Sequence, residues 1–176
     1  MFTDPIKNLK AFGLREDNIV GDLGAGTGYY SIPIGLMVPK GKVYAVEVVQ
    51  DFLTTIKNKA LDANLTNVEI LWGNIEKIGG TKIGDNILDA VIASNVLFQV
   101  EDKERFIEEI RRILKPEGRV LLIDWSTDSP VTSPLLGRKK AIPKDLAREM
   151  FERKGFKSGK DINTGPHHYG MILAKD

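Results

Sequence analysis

The amino-acid sequence predicts an α/β fold: a doubly wound, mostly parallel seven-stranded sheet with helices on both faces and a C-terminal antiparallel hairpin. Short apolar runs alternate with segments of helical periodicity, which is typical of a parallel sheet covered by helices. The runs are brief and largely apolar, as expected for strands buried on both faces. The first five predicted strands are Asn18–Leu23, Lys42–Glu47, Asn67–Trp72, Ile87–Ala93 and Arg119–Asp124.

Two of the connecting helices are marked by their ends. Asp102–Lys115 carries apolar residues at helical spacing with charged residues between them, and Pro116 follows directly. Pro143–Lys154 begins with a proline, which suits the first turn of a helix, and Gly155 follows its last residue. Both segments are therefore predicted to be helical.

The last two predicted strands follow one another without a helix. They are Phe156–Ile162 and Tyr169–Lys175, joined by a turn that contains asparagine, glycine and proline. Strands joined in this way pair as an antiparallel hairpin. No internal repeat or linker interrupts the chain, and residues 1–176 are predicted to form a single domain.

A glycine-rich loop follows the first predicted strand and reads Asp-Leu-Gly-Ala-Gly-Thr-Gly-Tyr-Tyr from Asp22 to Tyr30. Glycines allow a sharp turn and let the backbone N–H groups approach a ligand closely. Glu47 ends the second strand, roughly 20 residues after the last loop glycine, where a carboxylate can accept both hydroxyls of a ribose. The pattern predicts a nucleoside site at the carboxyl ends of these strands.

Two nucleoside cofactors compete for such a loop. The dinucleotide fingerprint needs a third glycine where this chain has Tyr29, and that ring would obstruct close packing near a pyrophosphate. None of the four tyrosines has a lysine four residues later, so the Tyr-x-x-x-Lys pair of short-chain reductases is missing. An NAD(P)-dependent oxidoreductase is therefore the disfavoured alternative.

Taken together, these motifs resemble those of the class I S-adenosylmethionine (SAM)-dependent methyltransferases, which have a Rossmann-like fold, and among them the small enzymes akin to the quinone-biosynthesis type. The resemblance runs from about Asp4 to the end and includes the motifs Leu88–Val100 and Leu114–Asp124. It implies SAM as the cofactor. The binding residues that it implies are Asp22, Gly24, Ala25, Gly26, Gly28 and Tyr29 in the loop, Glu47 and Val48 at the ribose and adenine, Asn74 and Ile75 at the adenine edge, and Ser94 near the methyl group.

One position departs from the family pattern. Asn74 stands where the family more often has aspartate. An amide oxygen can still accept a hydrogen bond from the adenine amino group, so adenine binding is expected to persist.

Asn95, Asp124 and His168 are the candidate catalytic residues. The acceptor pocket is predicted above the carboxyl ends of the fourth and fifth strands, where Phe98 and Trp125 are further candidate walls. Each assignment has a structural alternative: a turn cap for Asn95, core packing for Phe98, a structural hydrogen bond for Asp124, and packing near a turn for His168 and its neighbouring histidine. The long segment 125–142 is predicted to be functional, and its basic run Arg138-Lys139-Lys140 is interpreted as a solvated surface or an anion contact.

Composition excludes several function classes. The chain has no cysteine, which removes disulfides, thiolate metal sites and thiol nucleophiles, and no metal site is predicted. The net charge of +1 provides no global basic field, so nucleic acid is not an expected partner. The sequence lacks an apolar leader or a run of ~20 apolar residues, and a cytoplasmic protein without a membrane partner is predicted. The expected partner is a small-molecule acceptor, and a non-catalytic SAM-binding regulatory module is the main alternative.

Overall fold

The computed structural model describes residues 3–127 and 141–176. The described elements, in chain order, are α1 (Pro5–Phe12), β1 (Ile19–Leu23), α2 (Ser31–Met37), β2 (Lys42–Glu47), α3 (Gln50–Asp62), β3 (Val68–Trp72), β4 (Leu88–Ser94), α4 (Lys103–Ile113), β5 (Leu114–Trp125), α5 (Lys144–Arg153), β6 (Phe156–Ile162) and β7 (His168–Lys175). No helix among these residues is both long and apolar enough to span a bilayer.

The strands form one seven-stranded sheet in the order β3-β2-β1-β4-β5-β7-β6. β1 to β5 pair in parallel, whereas β7 pairs antiparallel with both β5 and β6. The predicted fold class is confirmed, including the C-terminal antiparallel hairpin. Because β7 lies between β5 and β6, its register places Tyr169 opposite Asp124 and His168 opposite Trp125.

The two faces of the sheet support two large apolar clusters. One cluster packs residues of α4 and α5, such as Phe106 and Phe151, against β4, β5 and β7. The other packs α1 and α2, through residues such as Leu9 and Ile34, against the opposite face. Alternating side chains of the strands contribute to both clusters, which explains why the strands are apolar along most of their length.

The boundary between α4 and β5 differs from the prediction. Leu114 and Lys115 were expected at the end of the helix, but β5 begins at Leu114, which pairs with Leu88. The residue before a proline is pushed out of the helical region, and Pro116 has this effect on Lys115. Glu117 then adopts φ 62, so the chain turns sharply before it resumes the strand.

The N-terminal helix is fixed at both ends. The side chain of Asp4 accepts a hydrogen bond from the Lys7 amide at its first turn, and Pro5 occupies the first helical position. At the other end, the Arg119 guanidinium donates to the carbonyls of Phe12 and Gly13. These contacts fix α1 on the sheet. Thr3, two residues before the helix, then lies at the carboxyl edge of β1 and β4.

Candidate functional site

A cleft with two lobes opens where the carboxyl ends of β1, β2 and β4 meet. The strand order reverses direction at β1, and open α/β sheets bind ligands at such a point. The outer lobe, on the side of β2 and β3, has a volume of about 480 Å³, and the inner lobe, between β1 and β4, about 350 Å³. Both volumes are typical of small-molecule sites. Gly24, Gly26 and Gln99 line both lobes.

The cleft collects almost all the residues that the sequence assigned to the cofactor; Gly28 is the exception. The outer lobe is further lined by Val46, Glu47, Val48, Val49, Phe52, Gly73, Asn74, Ile75, Glu76, Val96 and Val100. The inner lobe is further lined by Asp22, Ala25, Thr27, Tyr29, Tyr30, Ser94 and Asn95. The geometry therefore brings the separate sequence motifs to one place.

The three loop glycines have different structural roles, although all have positive φ. A Cβ at Gly24 would lie 2.6 Å from Val96 Cγ2, and one at Gly28 would press on Ile56 of α3. A Cβ at Gly26 would meet no atom of the described residues within 4 Å apart from its chain neighbours, so this position faces open space in the cleft. Gly24 and Gly28 are needed for packing, whereas Gly26 leaves room for a ligand.

The amides of the loop have partners inside the protein. Those of Gly24 and Ala25 donate to the Val46 carbonyl, and that of Gly28 donates to the Ala25 carbonyl. The Gly26 amide donates to Oε2 of Glu47 over 2.8 Å. A ligand can therefore approach the loop closely, but these four amides already donate hydrogen bonds to protein acceptors.

Glu47 is fixed at the end of β2 by three backbone amides. Besides the contact with Gly26, its Oε1 accepts from the amides of Val48 and Val49 at 2.8 and 3.0 Å. The residue is only 7% exposed, yet it lines the outer lobe. An ionised carboxylate has about four lone-pair directions, so one or more remain for hydroxyl donors of a ligand.

The outer lobe also contains apolar side chains that the fold leaves uncovered. Val48, Val49 and Phe52 are all more than a third exposed. At the far side, Oδ1 of Asn74 accepts from the Glu76 amide over 2.8 Å. An apolar wall beside a carboxylate and an amide suits a flat heterocycle attached to a sugar.

Asp22 is the carboxyl group of the inner lobe. It is 3% exposed, and Ser31 Oγ donates to its Oδ2 over 2.5 Å. Burial raises the pKa of Asp22 to about 7, the Ser31 hydrogen bond opposes this, and the negative charge of Glu47 adds to it. The lobe therefore contains an acid whose ionised form is favoured by a cationic ligand group.

Two consecutive tyrosines join the inner lobe to the N-terminal segment. The hydroxyl of Tyr29 donates to the Thr3 carbonyl over 2.8 Å. The buried hydroxyl of Tyr30 lies 2.9 Å from Thr3 Oγ1 and accepts from Asn8 Nδ2 at 2.9 Å. Tyr30 also has a hydrogen bond with Ser94, and burial raises its pKa. The segment before α1 is thus held against this lobe.

Asn95, a catalytic candidate, lies in the inner lobe. It has φ 56, a conformation that asparagine tolerates better than most residues. Its Oδ1 is buried without a hydrogen-bond partner among the described residues. An unpaired buried acceptor costs about 1–3 kcal/mol, so this oxygen is suited to accept a hydrogen bond from a ligand.

The other two catalytic candidates lie outside the described lining of both lobes. Asp124 is fully buried, and its oxygens accept from the amides of Phe98 and Trp125. Burial raises the pKa of Asp124 to about 7 against the effect of these hydrogen bonds. His168 stacks on Trp125 with ring centroids 4.1 Å apart, and burial lowers its pKa to about 4. It lines a separate cavity of about 170 Å³ beside Thr3.

Phe98 and Trp125 are both buried, and neither is among the described residues that line the two lobes. The basic run Arg138-Lys139-Lys140 and most of the segment 125–142 lie outside the described residues. Within residues 3–127 and 141–176, no group of three or more His, Asp or Glu side chains is arranged to hold a metal ion.

Sequence reasoning missed several residues of the cleft. Tyr30, Val96, Gln99 and Val100 line it, but their role depends on contacts between distant segments. A weak signal exists for Gln99, which lies near the end of the motif Leu88–Val100. No local pattern distinguishes the buried Tyr30 from the neighbouring Tyr29.

Comparisons with known proteins agree with this geometry. A family model described as a methyltransferase domain matches residues 14–165. The ubiquinone/menaquinone biosynthesis C-methyltransferase UbiE of Pasteurella multocida is 31% identical over 125 residues, which cover 70% of this chain and 45% of the relative. The chain thus spans about half the length of the curated relatives that it matches.

Solved structures share the fold over nearly the whole chain. The crystal structure of a SAM-dependent methyltransferase from Aquifex aeolicus has a TM-score of 0.83 and 28% identity, covering 98% of this chain and 90% of that one. The cyclase SpnF has a TM-score of 0.78 at 16% identity, covering 92% and 76%, and this likeness concerns the fold alone. On the family match and the UbiE and Aquifex relatives, the chain belongs to the class I SAM-dependent methyltransferase family.

Proposed function

We propose that this protein transfers the methyl group of SAM to a small, uncharged acceptor held in the inner lobe. The observation that carries the proposal is Glu47, whose carboxylate is fixed by three amides at the rim of a cleft that continues into an uncovered apolar wall. Bound SAM supplies a methyl group already activated by its positive sulfur. The protein then has to bind, orient and shield the reactants.

The residues of the cleft fit the parts of SAM in order along the sheet. Glu47 accepts hydrogen bonds from the ribose hydroxyls, and Val48 and Phe52 contact the adenine ring. Asp22 binds the ammonium group of the methionine part, because it is a buried acid that a positive charge favours in the ionised form. The open space at Gly26 would admit the ribose and the thioether part of the cofactor.

The acceptor is assigned to the inner lobe beyond Asp22. Tyr29, Tyr30, Ser94 and Asn95 supply aromatic surface and neutral polar groups there. Among the described residues of this lobe, Asp22 is the single ionisable carboxylate and no cationic side chain is present. Such a lining favours an uncharged acceptor over a phosphate or a carboxylate. The orphaned Oδ1 of Asn95 accepts a hydrogen bond from an O–H or N–H group of that acceptor.

Calorimetric titration with SAM and with S-adenosylhomocysteine tests the cofactor assignment. Glu47→Gln removes one charged acceptor, and we expect affinity for both ligands to fall roughly 100-fold, since hydrogen bonds to charged groups contribute about 1.5–3 kcal/mol each. The matched control is Glu69→Gln, a half-exposed glutamate of β3 that pairs with Lys42 outside the cleft. Equal affinity in the wild type and Glu47→Gln would contradict the assignment.

Transfer of label from SAM to small molecules of a cell extract tests catalysis. Because relatives are named as C-methyltransferases of ubiquinone/menaquinone biosynthesis, an intermediate of quinone biosynthesis that could be methylated on carbon is the first acceptor to try. Tight SAM binding without any labelled product would instead support a regulatory SAM-binding module. We further infer a cytoplasmic location, which is compatible with a chain that has no cysteine and so forms no disulfide.

A further inference from the structure

The turn after β4, residues 95–100, contributes side chains to both lobes of the cleft, and we call it the shared wall. Gln99 lines both lobes, while Val96 and Val100 line the outer lobe and Asn95 the inner lobe. Val96 packs directly on the glycine loop, because a Cβ at Gly24 would lie only 2.6 Å from its Cγ2. The position of the shared wall therefore sets the shape of both lobes.

Asp124 binds the backbone of the shared wall through a hydrogen bond. Its Oδ2 accepts from the Phe98 amide at 3.0 Å, in the middle of the turn, and its Oδ1 accepts from the Trp125 amide at 2.8 Å. The carboxyl group is fully buried and lies outside the described lining of both lobes, so it acts on a ligand only through the turn. Asn95 is fixed by a backbone hydrogen bond from its amide to the Ile123 carbonyl.

The surroundings of Asp124 contain two other titratable groups. Lys103 of α4 favours the ionised carboxylate through its positive charge. Tyr169 of β7 lies opposite in the antiparallel register and stays neutral, because burial and the charge of Asp124 both raise its pKa. The ionised form of Asp124 is the better acceptor for the Phe98 amide.

We propose that Asp124 is a positioning residue for the cofactor: its carboxylate fixes the shared wall against Gly24 and thereby holds the outer lobe in its binding shape. The inference rests on the proposed function, since it concerns the same cleft. A neutral Asp124 is a weaker hydrogen-bond acceptor for the buried Phe98 amide, and the shared wall then moves away from the glycine loop. Cofactor binding is consequently coupled to the ionisation of a side chain that the cofactor does not touch.

The coupling is measurable by NMR on the wild-type protein with S-adenosylhomocysteine, which binds without needing an acceptor. The Phe98 amide reports on Asp124, and the Ser31 amide reports separately on Asp22. We expect the pH midpoint of the Phe98 amide to fall by about one unit on binding, which corresponds to tenfold tighter binding by the ionised form. An unchanged Phe98 midpoint in a protein that binds the ligand overturns the inference. A protein that binds no ligand overturns the proposed function, and this inference with it.

A pair of variants separates positioning from general stability. Asp124→Asn should weaken S-adenosylhomocysteine binding about tenfold at pH 8. Any pH dependence of affinity that remains in this variant should come from Asp22. Asp89→Asn is the matched control, because Asp89 likewise accepts a backbone amide, that of Ile19, but at the opposite end of β4. This control should lower the Tm and leave affinity within twofold of the wild type. Wild-type affinity in Asp124→Asn, or an equal loss in Asp89→Asn, overturns the inference; if Asp124→Asn does not fold, the NMR titration decides.

Discussion

Asp22 and Asp124 are the penultimate residues of β1 and β5, and they illustrate how one residue type serves two purposes. Both are buried, and burial raises the pKa of each to about 7. Asp22 accepts from the hydroxyl and the amide of Ser31 and lines the inner lobe, whereas Asp124 accepts from two backbone amides and lies outside the described lining of both lobes. A raised pKa therefore marks a buried acid, and only its partners and its access to a cavity indicate whether it binds a ligand.

The largest expected effect that separates the two aspartates is on cofactor affinity. Asp22→Asn should weaken SAM binding roughly 10- to 100-fold, because a charge-assisted contact of about 1.5–3 kcal/mol with the ammonium group is lost. Calorimetry measures this loss. Methylthioadenosine, which lacks the amino-acid part, is the matched ligand and should bind the variant and the wild type equally. An equal loss for both ligands would show that Asp22 acts on the shape of the cleft instead.

The second effect is a shared dependence of stability on pH in the ligand-free protein. Both aspartates have folded-state pKa values near 7, above the unfolded value of about 3.9, so their contribution is fully present below pH ~4 and is lost as pH rises towards 7. His168 opposes this trend below pH ~6.5, because its folded pKa is lowered to about 4. We expect a net loss of a few kcal/mol in the free energy of unfolding between pH 5 and 8.

Denaturant unfolding at several pH values tests this expectation. Asp22→Asn should flatten the dependence by well over half, since one of the two acids no longer titrates while the opposing contribution of His168 remains. Saturating SAM should also flatten it, because the ammonium group favours ionised Asp22. A stability that rises from pH 5 to 8 in the ligand-free wild type would show that the two aspartates are ionised more easily than their burial implies.

A third, smaller effect concerns the outer lobe. Oδ1 of Asn74 already accepts from the Glu76 amide, so one lone pair of that oxygen remains for an adenine amino group. Asn74→Asp keeps the shape and provides a second acceptor oxygen for the adenine amino group, so SAM affinity should rise about three- to tenfold. Asn86→Asp adds the same charge on an exposed turn outside the cleft and is the control. Weaker binding by Asn74→Asp would show that the amide donor is the group in use.

The residues of the local motifs and the residues of the shared wall differ in how well the sequence predicts them. Glu47, the loop glycines and Asn74 follow strand ends in local motifs, and the parallel sheet necessarily brings those ends together. The shared wall and the residues directly after it depend on contacts between distant segments, such as Asp124 with Phe98 and Glu76 with the amides of Glu101 and Asp102. No local pattern encodes such pairs, so their roles emerged only from the folded chain.

The same limitation applies to the glycine loop and to the start of β5. The sequence indicated that the loop needs glycine. It did not indicate that a side chain at Gly24 would collide with Val96 or that one at Gly28 would press on Ile56, because both neighbours come from other segments. At β5, helical periodicity continued through Leu114, and strand pairing with Leu88 ended the helix. Periodicity predicts what a segment favours alone, whereas pairing partners decide its boundaries.

The smallest expected effect concerns His168, which the sequence offered as a catalytic base. Its ring is buried against Trp125 and its lowered pKa makes it a weak base at neutral pH, so His168→Phe should leave SAM affinity within twofold of the wild type. Phenylalanine retains the stacking and removes the buried Nε2, which has no partner among the described residues. The variant should therefore gain stability relative to the wild type at pH 5, where protonation of the histidine favours the unfolded chain, and gain less at pH 8. Once an acceptor is identified, loss of the acidic limb of the pH–rate profile in this variant would restore His168 as the base, whereas an unchanged profile would leave Asn95 as the remaining candidate near the acceptor.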